Sequence, residues 1–350
     1  MSLYDSLADL SLVVEGHDRR RYERSPRPEF TRATTELRLH GLGATGAGED
    51  VTYETEDHDA FAGADDAGAF DDAFVGEWTF DGFSEHLDAV ELWSEAPTRE
   101  VSRDYRRWAV ESAALDLALR QADTTLGGAL GRDYDPVRFV VSTRVESMDR
   151  IKTLLEVDPD AEFKLDPDID WDGGLFADLA DTGRVRIADL KGYYEGTTVD
   201  VPADPDLYRR TVGSFPDAVI EDARWTEETR PILEPEADRL SWDAPIHGLS
   251  DVEALPVEPR WLNVKPSRFG TVRSLLECIE YCLDRDVSLY GGGQYELGPG
   301  RSHLQVLASL FYPDTPNDVA PSDYNETEPP EGLARSPLEI ENPTGLAWGR

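Results

Sequence analysis

Four short apolar runs between Arg184 and Arg268 each stop on one ionisable residue: VRIAD on Asp189, AVIE on Glu221, RLSWD on Asp243 and WLNVK on Lys265. Their ends are 32, 22 and 22 residues apart. A strand, a turn, a helix and a second turn take about 30 residues in a βαβ unit, and compact units take fewer. The spacing predicts consecutive β/α units, each carrying one functional group at the carboxyl end of its strand. Parallel barrels build their active sites at that end. Carboxylates closing apolar strands are out of place as surface groups. Three of them converging beside a lysine predict a divalent-metal site next to a general base. A set of barrel-mouth salt bridges is the competing reading.

The same alternation runs on both sides of these units. VRFVVSTRV, MDRIKTLLEV, EFKLD and GLFADLADT precede them, and VRSLLECIEYCL, VSLYGGGQYE and SHLQVLASLFY follow. Strands and helices alternating at this spacing imply a parallel sheet, beginning near Pro136. Upstream, SLVVEG and TRATTELRLHGL read as two strands. GLGATGAGED has the glycines of a phosphate loop without its GKS or GKT ending, so it reads as a mobile or tightly turning loop. The acidic, Ala/Gly-rich stretch from His58 to Asp72 reads as an exposed connection with little structure. In SRDYRRWAVESAALDLALRQA, the residues Trp108, Ala109, Ala113, Leu115, Leu117 and Leu119 do not fit one narrow stripe, as expected of a helix buried between layers.

Charge excludes some partners. The net charge is -38, from 72 acidic and 34 basic residues, a surface that repels nucleic acid and anionic lipid. A hydrophobic content of 39% and eight tryptophans argue for a folded core rather than disorder. Such a chain suits a halophile's cytosol, where concentrated salt screens self-repulsion. No apolar run reaches the roughly 18 residues of a membrane span. The opening MSLYDSLADLSLVVEG lacks the basic region and unbroken apolar core of a signal peptide, so a cytoplasmic location is expected. Cys278 and Cys282 share one helix face and read as core-facing thiols.

Lysine is scarce: Lys152, Lys164, Lys191 and Lys265 stand against 30 arginines. Lys152 falls on a polar helix face. The other three fall at predicted strand ends, where a desolvated lysine can act as a base and an arginine cannot lose its proton.

AVESAALDLALRQ with its following ALG, the IED at Ile220 to Asp222, NVKPSRFG around Lys265, GGGQYELGPGR from Gly291 and GAGE at Gly46 to Glu49 occur in an order and spacing that resembles the enolase superfamily. Within it, the likeness is to the muconate-lactonising and o-succinylbenzoate-synthase-like branch. The resemblance implies an α/β protein, a modified (β/α) TIM-type barrel with an N-terminal α+β capping domain. The corresponding division is a cap over 1–100, a linking helix over 101–135, the barrel over 136–312 and an irregular tail over 313–350 wrapping barrel or cap. It also implies Mg²⁺ held by Asp189, Glu221 and Asp243, and oxygen-only ligands do suit a hard cation. The implied chemistry is removal of the proton α to the carboxylate of a small acid, the metal steadying the enediolate. Lys265 would be base, acid or a cation beside that intermediate. A lyase such as a dehydratase is the expected enzyme. A racemase, epimerase or cycloisomerase uses the same parts, and a barrel that binds without turnover is a further alternative. A homo-oligomer is expected.

Two motifs depart from that branch. Where it carries Lys-x-Lys, this chain has Lys164-Leu165-Asp166, so either Asp166 takes the base position or the register slides and Lys164 serves. Where it carries Asp-x-Asn, this chain has Asp189-Leu190-Lys191. Lys191 then faces the same way as Asp189 on an extended strand, as a third cation, a substrate clamp or a base. Glu296 reads as a substrate contact or a supporting partner. Gly291 to Gly293, with Gly292 at the centre, would let substrate approach the backbone or simply make a tight turn. Arg268 and Arg301 could clamp a distal carboxylate, but pairing with local acids is the preferred reading. Asp222, one acid among 72, reads as solvated surface, and His247 as a loop residue. No GxSxG supports a serine nucleophile.

Overall fold

From Pro136 onward the expected alternation folds as seven parallel strands in a curled sheet. In the computed structural model, which describes residues 2–27, 30–194, 197 and 199–349, these follow five strands of an N-terminal domain. Those five are β1 (Ser11–Val14), β2 (Gly16–Arg27), β3 (Phe30–Gly41), β4 (Ala44–Asp50) and β5 (Gly76–Thr79). The parallel set is β6 (Val141–Thr143), β7 (Phe163–Leu165), β8 (Val185–Asp189), β9 (Val219–Glu221), β10 (Leu240–Trp242), β11 (Trp261–Val264) and β12 (Ser288–Gly291). Spatial order equals chain order, β6 through β12, as right-handed β/α repetition requires.

The curl is completed by a piece of the tail. Val140 N donates to Asn317 O at 2.8 Å, and Asp318 N donates to Gly291 O at 2.8 Å. Asn317 and Asp318 therefore bridge β12 to the residues leading into β6. The Asn317 amide also donates to Arg138 O and Tyr312 O at 3.0 Å, so each exposed strand edge there finds a partner. Elsewhere 313–350 is mostly irregular.

The N-terminal domain is an antiparallel sheet β2-β3-β4 beside a smaller pair β1-β5. Here two expectations are corrected. The Gly-rich segment is not a loop but strand β4, paired with β3 from Ala44 to Asp50. Its glycines let it lie directly on the long helix Ser102–Gln121. A Cβ on Gly48 would sit 2.0 Å from Ala109 O, and one on Gly46 would sit 2.2 Å from Ala113 O. The acidic stretch after Thr52 is likewise ordered, as the helix Thr55–Asp66, with Asp57, His58 and Phe61 turned inward and most of its other acids outward. The burial of His58 and Phe61 outweighs the polarity of the remaining face.

The helix Ser102–Gln121 is buried on nearly every side, as its lack of a stripe predicts. It joins the two domains by charge as well as packing. Arg106, 1% exposed, donates from Nε to Asp50 Oδ2 at 2.9 Å and stacks 3.5 Å over the Trp93 ring. Glu111 accepts from Val272 N at 2.8 Å, at the start of the barrel helix Val272–Leu283. Cys278 and Cys282 are free and buried in that helix. Among the described residues no helix is long and apolar enough to cross a membrane.

Candidate active site

Strand order decides which side chains meet. Because β7, β8, β9, β10 and β11 are consecutive neighbours, their carboxyl ends present a row: Lys164, Asp189, Glu221, Asp243 and Lys265. Asp189 and Glu221 are direct register partners. Lys164 starts one layer deeper, level with Ile187, and its long stem reaches the row from below. The three carboxylates are 0% exposed, and Lys164 and Lys265 are 2% and 7% exposed.

The lysines occupy the two ends. Lys164 Nζ is 2.6 Å from Glu221 Oε1, 3.1 Å from Asp189 Oδ2 and 3.7 Å from Asp318 Oδ2. Lys265 Nζ is 2.7 Å from Asp243 Oδ2, which also accepts from the Tyr194 hydroxyl at 2.7 Å. Lys191 pairs with Asp189 Oδ2 and lies 3.6 Å from Asp166 Oδ1. Asp166, at the rim, is also held by Arg144 Nε at 3.1 Å. Arg268 is buried with its Nη1 3.3 Å from Asp243 Oδ1, and it also donates to Asp243 O. Pairing with a local acid is thus what the structure gives Arg268.

Burial and charge compete at each group. Burial alone would push the Lys164 ammonium down, but Glu221, Asp189 and Asp318 hold it well above the usual lysine value. Lys191 is raised in the same way, its burial outweighed by Asp166 and Asp189. Burial would raise Asp243, yet Arg268 and Lys265 hold it far below the ordinary carboxylate range. Asp189 is likewise held low against its burial by Lys191 and Lys164. Glu221, at the centre, is pushed well up by burial and by Asp189.

A family model described as domain of unknown function DUF8230, C-terminal domain, matches residues 133–326, and the N-terminal model of the same family matches residues 5–129. The chain belongs to the DUF8230 family. Its fold is that of the enolase superfamily. Dipeptide epimerase from Enterococcus faecalis superposes with a TM-score of 0.70 at 14% identity, covering 96% of this chain and 99% of the other. Muconate cycloisomerase from Pseudomonas fluorescens does so with a TM-score of 0.67 at 17% identity, covering 96% of each chain. In sequence, o-succinylbenzoate synthase from Listeria innocua is 32% identical over 87 residues, which is 24% of this chain and 23% of that protein. The matched segment is thus about a quarter of either chain.

The donor set in the DUF8230 chain fits a hard dication. Every predicted ligand is a carboxylate oxygen, and among the described residues Asp243 Oδ1 in the row and the neighbouring amide oxygen Asn263 Oδ1 are buried and accept no hydrogen bond. Oxygens of Asp189, Glu221 and Asp222 lie within 4.8 Å of one another. Asp243 is outside that closest group.

Several residues of the site are not singled out in the sequence. Asp222, read as solvated, is 0% exposed. Tyr290 donates to Glu221 Oε2 at 2.5 Å, and Asn263 Nδ2 donates to Glu221 Oε1 at 3.3 Å. Asn263 stands two residues before Lys265 and so shares its face, a signal that was there to use. Tyr194 and Asp318 come from a loop and from the closing segment, where periodicity carries no information. Gly292 leaves room for site side chains: a Cβ there would lie 2.5 Å from Asn263 Oδ1 and 3.0 Å from Lys265 Cε. Glu296 is buried beside these glycines, accepting from Gln294 N at 2.6 Å with Arg301 Nη2 at 3.5 Å. His247 lies in a loop, 3.6 Å from Asp104.

Proposed function

We propose that this DUF8230 protein is a Mg²⁺-dependent lyase that removes the proton α to the carboxylate of a small acid and then expels a β substituent, as in a dehydration. The observation that carries the reading is the buried row of three carboxylates from adjacent strands with a lysine at each end. Asp189, Glu221 and Asp243 would hold the ion. When bound, Mg²⁺ supplies the concentrated positive charge that anchors a substrate carboxylate and favours anionic character at the α carbon.

The chain's own residues do the rest. Among the described residues Lys265 has one carboxylate partner, Asp243; its ammonium first gives up a proton, and the neutral amine then takes the α proton on Nζ. Lys164, held as an ammonium by Glu221 and Asp189, donates to the leaving group from the other end of the row. Lys191 and Asp166 at the rim, with Glu296 and Gly292 around the mouth, orient the remainder of the substrate, while Arg268 stays paired with Asp243. Burial of the row excludes water, which strengthens each electrostatic contact.

The same two lysines also favour a second reading, epimerisation, which needs a competent base on each face of the α carbon. Incubation with α-hydroxy acids and with dipeptides in deuterated buffer containing Mg²⁺ separates the two. A keto acid or alkene product supports elimination, and α-deuteration with substrate retained supports epimerisation. Absence of exchange and product across the panel, unchanged by Lys265→Ala, would leave a ligand-binding barrel.

A further inference from the structure

Among the described residues Asp222 is the one fully buried acid of this mouth that the proposed chemistry leaves unused. It follows Glu221 with a left-handed backbone, φ 52°. Few non-glycine residues hold that conformation, and aspartate does so more readily than most because its short polar side chain can bond locally. Lys191 (φ 54°), past the end of the neighbouring strand β8, shares it.

What Asp222 touches accounts for the conformation. Its Oδ1 accepts from Asp243 N at 2.8 Å and its Oδ2 from Ala244 N at 2.9 Å. Its own N–H donates to Ser241 O at 3.0 Å, and its carbonyl accepts from Gly192 N at 2.9 Å. One residue thereby ties together the ends of β8, β9 and β10, the three strands that carry Asp189, Glu221 and Asp243. In continued extended backbone its side chain would point away from that of Glu221. The left-handed turn lays it across the end of β10 instead. Both carboxylate oxygens are engaged by main-chain donors, whereas Asp243 Oδ1 accepts no hydrogen bond among the described residues and has only the Arg268 guanidinium near it, Nη1 at 3.3 Å.

We infer that Asp222 is a positioning residue for the metal site: it fixes the backbone of Asp243 so that this acid completes the set begun by Asp189 and Glu221, and it is not itself a ligand. This rests on the metal reading above. Supporting partners of this kind change metal affinity about 10–100-fold when removed. Mg²⁺ demands near-ideal octahedral geometry and Ca²⁺ tolerates irregular geometry, so a loosened site loses affinity for Mg²⁺ more than for Ca²⁺.

The test is calorimetric titration of the full chain with Mg²⁺ and with Ca²⁺. Asp222→Asn is nearly isosteric, keeps one acceptor and sets an amide donor against the second N–H. It is expected to weaken Mg²⁺ binding about 10–100-fold and Ca²⁺ binding less. Asp243→Ala is expected to abolish Mg²⁺ binding. Circular dichroism checks that each variant is folded, and amide exchange at Asp243 and Ala244 is expected to rise in Asp222→Asn. Unchanged Mg²⁺ affinity in Asp222→Asn overturns the inference. So does loss of binding in Asp222→Asn with retention in Asp243→Ala, which would make Asp222 the ligand. A wild-type protein that binds no Mg²⁺ overturns the metal reading itself and the inference with it.

Discussion

Lys164 is a positive charge buried among acids that repel one another, so removing it exposes the repulsion it balances. Lys164→Met leaves Glu221 with Tyr290 and Asn263 as its partners. Breaking a buried pair in this way costs about 3–5 kcal/mol, less whatever Glu221 recovers by taking a proton. The variant should melt lower than wild type without metal and gain more from added Mg²⁺. Equal gains in both proteins, followed by calorimetry, would argue that the acids share no cation. A second residue reports on pH. Burial, with Arg120, pushes His303 down to about 3. Unfolded, it takes a proton near pH 6.5, so its contribution is complete above that and is lost as pH falls towards 3. The slope is about 1.4 kcal/mol per pH unit for one proton. His303→Leu should flatten the fall in melting temperature between about pH 6 and 4. At this scale the site was largely legible: Asp189, Glu221, Asp243 and Lys265 stand out because apolar strands deliver them. Asp222 was not, because an acid just past a strand end looks like any turn acid in so acidic a chain.

Elements lock the mouth from the N-terminal domain. Arg32 on β3, 0% exposed, donates to the carbonyls of Val51, Thr52, Gln294 and Tyr295. Glu49 on β4 accepts from the amides of Leu297, Gly298 and Gly300 at 2.7 to 2.9 Å. One residue takes the carbonyls and the other the amides of the loop that carries Glu296. Arg32→Ala should speed hydrogen exchange across 294–300 by at least tenfold, equivalent to about 1.4 kcal/mol. Protection unchanged by mass spectrometry would mean the loop holds itself. Gly48→Ala drives a methyl into Ala109 O and should cost about 1–3 kcal/mol as β4 lifts from the helix, visible as a lower denaturation midpoint. The helix Ser102–Gln121 was readable because burial on all faces erases a stripe. β4 was not, because glycines chosen for close packing carry the same letters as glycines chosen for a turn.

The whole molecule carries a net charge of -38. Self-repulsion on that scale weakens once the Debye length falls to about 3 Å near 1 M salt. The melting temperature should therefore climb steadily with KCl, and a flat or falling curve would count against the salt-adapted reading of the composition. The parallel architecture was legible from end to end because every β/α unit repeats the same signal. The closing residues were not, since Asn317 and Asp318 sit in a Pro-rich stretch with no period.

That closure has a consequence for how the protein is made. By the time a ribosome adds Asn317, all seven barrel strands have already been synthesised, and the wall between the first and the last of them still gapes. Asp318, the neighbour of Lys164, arrives with the piece that shuts it. A nascent chain arrested before this point carries the whole row in a vessel with an open seam.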